Sequence, residues 1–249
     1  MQVIAITDIG NGRKINEDDY FFTKEQVGDL PNLFMVADGL GGHKAGEVAS
    51  RMAIDSVVRY CLETIQPNLG QLLKEAYLEA NKSVFEYGQK NNNCYEMGTT
   101  LVALSVLENQ YLIANIGDSR AYLLRDGELK RITKDHSPVQ ELQELGVITE
   151  EEAYHHENRN LISKAIGMEH EIDADIYQVE AKENDILLLC TDGLSNFLRR
   201  SEMQEILKQE KSLEELANDL LKEALANQST DNITILLVSN PTEREDNLC

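Results

Sequence analysis

LVALSVLENQYLIANIGDSRAYLLRDGELKRI, residues 101–132, reads as four strands in succession: Leu101 to Leu107, Tyr111 to Ile116, Ala121 to Arg125 and Leu129 to Ile132. No segment long enough for a crossover helix separates them. Glu108-Asn109 and Asp126-Gly127 are tight-turn pairs that join neighbouring strands as antiparallel hairpins. Further apolar runs at Val3 to Thr7, Leu33 to Ala37, Ile176 to Val179, Ile186 to Thr191 and Ile233 to Val238 predict strands at both ends of the chain. Long blocks of strand without alternating helices exclude a parallel doubly wound sheet. An α+β fold of two packed sheets flanked by helical hairpins fits instead.

The helices fall between and after these blocks. Residues 45–66 place Val48, Met52, Ile54, Val57, Val58, Cys61, Leu62 and Ile65 on one helical face, and residues 69–88 do the same with Leu69, Leu72, Leu73, Ala76, Ala80 and Val84. Pro67-Asn68 divides them into an antiparallel hairpin. A second pair is expected after Ser201 and Ser212, which stand three residues before Gln204 and Glu215 as a capping box requires. Leu213, Leu216, Ala217, Leu220, Leu221 and Leu225 make the stripe that the last helix buries.

Four aspartates sit where an apolar strand meets a loop. Leu33 to Ala37 ends in Asp38-Gly39, Tyr111 to Ile116 in Gly117-Asp118, and Ile186 to Thr191 in Asp192-Gly193, while Asp231 stands just before Ile233 to Val238. If the last strand runs antiparallel to the other three, all four carboxylates face one edge of the sheets. Two unit charges about 4 Å apart repel by about 4 kcal/mol at an effective dielectric of 20. Such a cluster needs protons or cations, and hard oxygen donors suit Mg2+ or Mn2+ rather than zinc. A lone aspartate at a strand end is more often a turn or cap residue.

The composition bounds the partners. The 249 residues are enough for one large domain, no linker-like stretch interrupts them, and Asn240 to Cys249 reads as a polar tail. A formal charge of −21 argues against nucleic acid or an anionic membrane as partner, because both reward Lys and Arg. No apolar run reaches the length of a membrane span and the N-terminus lacks a basic flank, so a cytoplasmic location is expected. Cys61, Cys94, Cys190 and Cys249 show no paired spacing. His155-His156 lies in a charged loop with no Cys or further His to complete a zinc site.

Asp38-Gly39-Leu40-Gly41-Gly42-His43 follows a strand and precedes a helix, as a dinucleotide fingerprint does. The third glycine of that pattern falls at Lys44, and the strand ends in an acid that repels pyrophosphate. No G-x-x-x-x-G-K-[ST] is present either.

Taken in order, Arg13-x-x-Asn16-Glu17-Asp18, Asp38-Gly39-Leu40-Gly41-Gly42-His43, Gly98-Thr99-Thr100, Gly117-Asp118-Ser119-Arg120, Asp192-Gly193 and Asp231-Asn232-Ile233-Thr234 resemble the motif series of the metal-dependent Ser/Thr protein phosphatase 2C family, in its bacterial branch. The resemblance spans nearly the whole chain. It implies a four-layer α-β-β-α sandwich, two core Mn2+ or Mg2+ ions with a third weaker one, and hydrolysis of phosphoserine and phosphothreonine by a metal-bridging hydroxide. Residues 1–240 become one catalytic domain, with 241–249 as tail and a flap near 136–167 marked by Glu144 to Thr149 and Arg159-Asn160.

Carried over residue by residue, the resemblance implies that Asp38 bridges the two ions, Gly39 offers its carbonyl to one, and Asp192 and Asp231 hold the other. Asp118 goes to the third ion. Arg13 holds the substrate phosphate through its planar fork. Glu17 and Asp18 accept hydrogen bonds from metal-bound waters. His43 is the candidate to protonate the leaving oxygen, since its pKa of about 6.5 suits that task. Here it stands three residues beyond the place directly after Asp-Gly that it occupies in eukaryotic members. The expected partners are phosphorylated proteins, a Ser/Thr protein kinase among them, acted on by a monomer. Two other classes share these features: a non-catalytic relative that binds phosphoproteins, and a metallohydrolase of other phosphoesters.

Overall fold

Continuous apolar runs such as Leu33 to Ala37 and Ile186 to Cys190 can be strands only if both faces of the sheet are covered. In the computed structural model, which describes residues 1–40 and 45–239, they are. The strands are β1 (Gln2–Asp8), β2 (Asp18–Thr23), β3 (Leu33–Leu40), β4 (Gly98–Thr99), β5 (Leu101–Val106), β6 (Gln110–Ile116), β7 (Arg120–Arg125), β8 (Glu128–Arg131), β9 (Asp175–Glu180), β10 (Ile186–Cys190) and β11 (Ile233–Ser239). One sheet has the order β1-β11-β10-β7-β8 and the other β2-β3-β5-β6-β9, with β4 paired to β3. Every pairing is antiparallel.

Alternation along the strands divides the core into layers. On β3, Phe34 and Val36 point between the sheets, where they meet Leu123, Leu187, Leu189, Leu236 and Val238 from the opposite sheet. Leu33, Met35 and Ala37 point outward against α1 (Gly46–Glu63) and α2 (Leu69–Lys90). On the far side, Leu188, Cys190, Ile235 and Leu237 pack on the later helices. Those begin, after the short helices α3 (Pro138–Glu144) and α4 (Glu150–Tyr154), with the single turn α5 (Asp192–Ser195), followed by α6 (Arg200–Leu207) and α7 (Leu213–Ala226). The layers run helix, sheet, sheet, helix, as the sequence predicts.

The 101–132 stretch splits between the sheets. The hairpin β5–β6 belongs to one and β7–β8 to the other, so Gly117-Asp118-Ser119 carries the chain across the sandwich edge. Gly117 is obligatory there. Its φ is +96°, and a Cβ would sit 2.5 Å from the Thr100 side chain.

Two local expectations change. Ser201 lies inside α6, and the helix starts from Arg199, whose N–H donates to Glu202 at 2.7 Å. Strand β2 has no counterpart among the predicted strands. The Ser212 cap stands: its Oγ accepts from the Glu215 N–H at 3.2 Å, and Glu215 reaches back to the Ser212 N–H at 2.9 Å.

Candidate active site

β11 runs antiparallel to β10, so the start of one lies beside the end of the other and brings Asp231 next to Asp192. On the neighbouring sheet Asp18 opens β2 directly across from Asp38 near the end of β3. The two sheets meet at this edge. Thr191 Oγ1 and Thr234 Oγ1 donate to Asp18 Oδ2 at 2.9 and 2.7 Å, tying one sheet's acid to the other sheet's strands. With the acids ionised, Asp18 Oδ1 and Asp192 Oδ1 are buried without a hydrogen-bond partner among the described residues. Ungratified carboxylate oxygens of this kind are costly in a protein interior.

Electrostatics follow from the crowding. Burial raises Asp18 to about 7, opposed by its two threonine hydrogen bonds and reinforced by Asp192 and Asp231. Burial also raises Asp192 to about 6; the Asp231 charge adds to this and a hydrogen bond with the Asp38 carboxyl works against it. Asp38 is driven well above the usual carboxylate range by burial and by the charges of Asp18, Asp192, Asp118 and Asp231. Asp118 rises likewise through burial and the charges of Asp192 and Asp135. Each carboxylate thus feels the others. That is a donor set asking for cations.

Among the described residues no three His, Cys, Asp or Glu side chains form a ready-made metal cage. Mg2+ and similar hard ions keep several waters and take one or two carboxylates apiece, with backbone carbonyls among their other oxygens, so the acidic edge suits them without such a cage. Gly39 lies in the crowd: its N–H donates to Glu17 O at 3.1 Å, and a Cβ would fall 2.3 Å from Gly46 O. Only glycine lets the backbone approach here.

Arg13 makes a forked contact with Asp231, Nε to Oδ1 at 2.8 Å and Nη2 to Oδ2 at 2.8 Å, and reaches Glu17 at 3.3 Å. The guanidinium is half-exposed at the rim. Glu17 is raised by burial, an effect that Arg13 opposes. Thus Asp38, Gly39, Asp118, Asp192, Asp231, Glu17, Asp18 and Arg13 gather at one edge. His43 lies outside the described residues. His155 ends α4, with His156 next to it, and meets Glu151 at 3.2 Å.

Four residues make contacts that a reading of the sequence does not reveal. Asn232 clamps the 9–17 loop: its Nδ2 donates to Ile9 O at 2.9 Å and Ile15 O at 3.1 Å, and its Oδ1 accepts from the Glu17 N–H at 2.8 Å. Thr191 and Thr234 hold Asp18. Asn196, four residues past Asp192, donates to Asp192 Oδ2 at 3.0 Å and to Asn160 Oδ1 at 3.2 Å. The i, i+4 spacing from Asp192 is the only sequence signal for it.

The segment 136–163 is a closed loop. Ser163 N donates to His136 O at 2.8 Å, so the segment leaves and returns at one point, beside Gly117, whose N–H donates to His136 Nδ1 at 3.0 Å.

An all-antiparallel double sheet with a carboxylate-rich edge differs from the parallel, doubly wound scaffold that binds dinucleotides. The protein phosphatase 2C family model matches residues 11–232, and the chain belongs to that family. It is 39% identical over 236 residues to the serine/threonine phosphatase stp of Listeria monocytogenes, covering 93% of each chain. The crystal structure of the Stp1 phosphatase of Staphylococcus aureus superposes with a TM-score of 0.89 at 35% identity, covering 96% of this chain and 94% of that one. The catalytic domain of the phosphatase PstP, solved with 2 manganese ions, superposes at 0.82 with 36% identity over 95% and 96% of the two chains.

Proposed function

We propose that the protein is a metal-dependent phosphoserine and phosphothreonine phosphatase, with residues 1–240 acting as one catalytic unit and 136–167 as its flap. The observation that carries this reading is the gathering of Asp18, Asp38, Asp118, Asp192 and Asp231 at a single sheet edge, where Asp18 Oδ1 and Asp192 Oδ1 are buried without a hydrogen-bond partner among the described residues. A phosphoprotein-binding relative without catalysis has no use for so costly a cluster.

In this reading Asp38, Gly39 through its carbonyl, Asp192 and Asp231 would hold two divalent ions, and Asp118 would serve a weaker third. Bound Mn2+ or Mg2+ would supply a nucleophilic water at neutral pH and neutralise charge in an in-line displacement, with no covalent phosphoenzyme. The chain's own groups do the rest. Buried Asp18 and partly buried Glu17 would accept hydrogen bonds from waters on the ions. Arg13 leaves its fork on Asp231 to grip two phosphate oxygens in the same bidentate geometry. Thr191 and Thr234 keep Asp18 aimed across the edge, and Asn232 holds the Arg13 loop in place. His43 is the proton donor to the leaving seryl or threonyl oxygen. Phosphorylated proteins are the substrates, a Ser/Thr protein kinase among them.

The test is hydrolysis of a phosphothreonine peptide with Mn2+, with Mg2+ and with chelator. Turnover with either metal and none with chelator is expected. Turnover in excess chelator, or activity confined to phosphodiesters or nucleotides, would overturn the assignment.

A further inference from the structure

A cleft of about 890 Å³ opens between the flap, the β7–β8 hairpin and the α5–α6 junction. In a chain with 44 acidic and 23 basic residues its lining is the reverse. Arg120, Lys130, Arg131, Arg159, Arg199 and Arg200 face it, against three carboxylates, those of Asp135, Glu150 and Glu151. Its floor is continuous with the acidic edge: Ser195 and Asn196 line the cleft, and Asn196 donates to Asp192 at 3.0 Å.

Two features point to a ligand. Ser195 is 3% exposed, and its Oγ has no hydrogen-bond partner among the described residues although it lines the cleft. A buried hydroxyl left alone is a donor awaiting an acceptor. The second is the way the cations are occupied. Glu151 sits 2.7 Å from Arg199 and Glu150 sits 3.2 Å from Arg200, so carboxylates of α4 in the flap rest on the two arginines that start α6. All four of these side chains are substantially exposed, and ion pairs of that kind hold weakly. The flap's glutamates occupy positions that another carboxylate or phosphoryl group can take with little loss. Arg159 needs no displacement. It stacks over the Tyr154 ring at 5.9 Å, donates to Tyr154 O at 2.9 Å and has no carboxylate partner among the described residues.

We propose that this cleft is a subsite for the anionic side chains that flank the phosphoresidue in an acidic segment of the substrate protein. The inference rests on the phosphatase reading above and adds to it a substrate class. A peptide whose phosphoresidue sits at the acidic edge runs past Asn196 into the cleft. There its carboxylates replace Glu150 and Glu151 on Arg200 and Arg199.

The experiment compares a phosphothreonine peptide flanked by glutamates with its glutamine-flanked counterpart, and with p-nitrophenyl phosphate, at low ionic strength and saturating Mn2+. The glutamate peptide should show a KM lower by about tenfold, the size of one charge-assisted contact. Salt should erode the difference. The paired variant Arg199→Gln/Arg200→Gln should abolish the preference while leaving p-nitrophenyl phosphate and the neutral peptide unchanged. Glu150→Gln/Glu151→Gln, which frees the arginines, should lower the glutamate peptide's KM further. A subsite that only latched the flap would instead harm both peptides in both variants. Equal KM for the two peptides in the wild type, or a preference that survives in the arginine variant, would overturn the subsite alone. Failure to hydrolyse either peptide would overturn the phosphatase reading and the subsite with it.

Discussion

Asp18→Asn separates the acidic cluster's electrostatics from its catalysis. In the folded protein Asp18 titrates at about 7, against its ordinary value of 3.8. The fold therefore favours the protonated acid. Stability contributed by that proton is fully present below 3.8 and is lost as pH rises through about 7. A displacement of about three pH units corresponds to roughly 4 kcal/mol at 1.36 kcal/mol per unit. For a chain of this length each kcal/mol moves Tm by about 2–4 °C, which bounds the effect at roughly 8–16 °C. Asp18, Asp38 and Asp192 titrate as a set, so one member carries only a share. The asparagine keeps an acceptor for the Thr191 and Thr234 hydroxyls and removes the charge. In chelator, then, wild-type Tm should fall between pH 5 and pH 8, and Asp18→Asn should fall less, by at least about 3 °C. Thermal denaturation followed by circular dichroism reads this directly. Identical pH slopes for the two proteins would refute the argument that Asp18 is held as a strained buried charge.

Three further substitutions test individual roles. Asp38→Asn should leave the fold intact and cut phosphopeptide turnover by at least about a thousandfold, a size ordinary for losing one central electrostatic contributor; near wild-type kcat in a folded variant would remove Asp38 from the centre. Asp118→Ala should retain tight Mn2+ binding by calorimetry yet hydrolyse phosphopeptide much more slowly, and unchanged turnover at saturating Mn2+ would exclude it from the reaction. Arg13→Ala should raise KM more than it lowers kcat, because its fork grips a phosphate that ground and transition states share; a pure kcat defect would contradict that.

The parts of the fold legible in the sequence are those whose signal is local. Leu33 to Ala37 and Ile186 to Cys190 are unbroken apolar runs because both faces of each sheet are covered, and a strand buried on both faces announces itself. The acids that end these runs were legible for the same reason. Strand β2 escaped because it opens with Asp18-Asp19 and lies at a sheet edge with mixed burial, so neither a run nor a clean alternation marks it. Ser201 has the composition of a cap, but Glu202 closes the helix start two residues earlier onto Arg199. Asn232 acts on Ile9 and Ile15, more than 200 positions away, and only the closure of β1 on β11 brings them together. Asn196 and the cleft beside it depend on the flap folding back, which no periodicity encodes.

The central claim is that the acidic edge exists to hold divalent cations. Calorimetric titration of the chelator-stripped protein with Mn2+, repeated on Asp38→Asn, tests it most directly. Two tight equivalents in the wild type, as in the PstP catalytic domain with its 2 manganese ions, and loss of tight binding in the variant are the expected results. No measurable binding in the wild type, or the same isotherm for both proteins, would contradict the account.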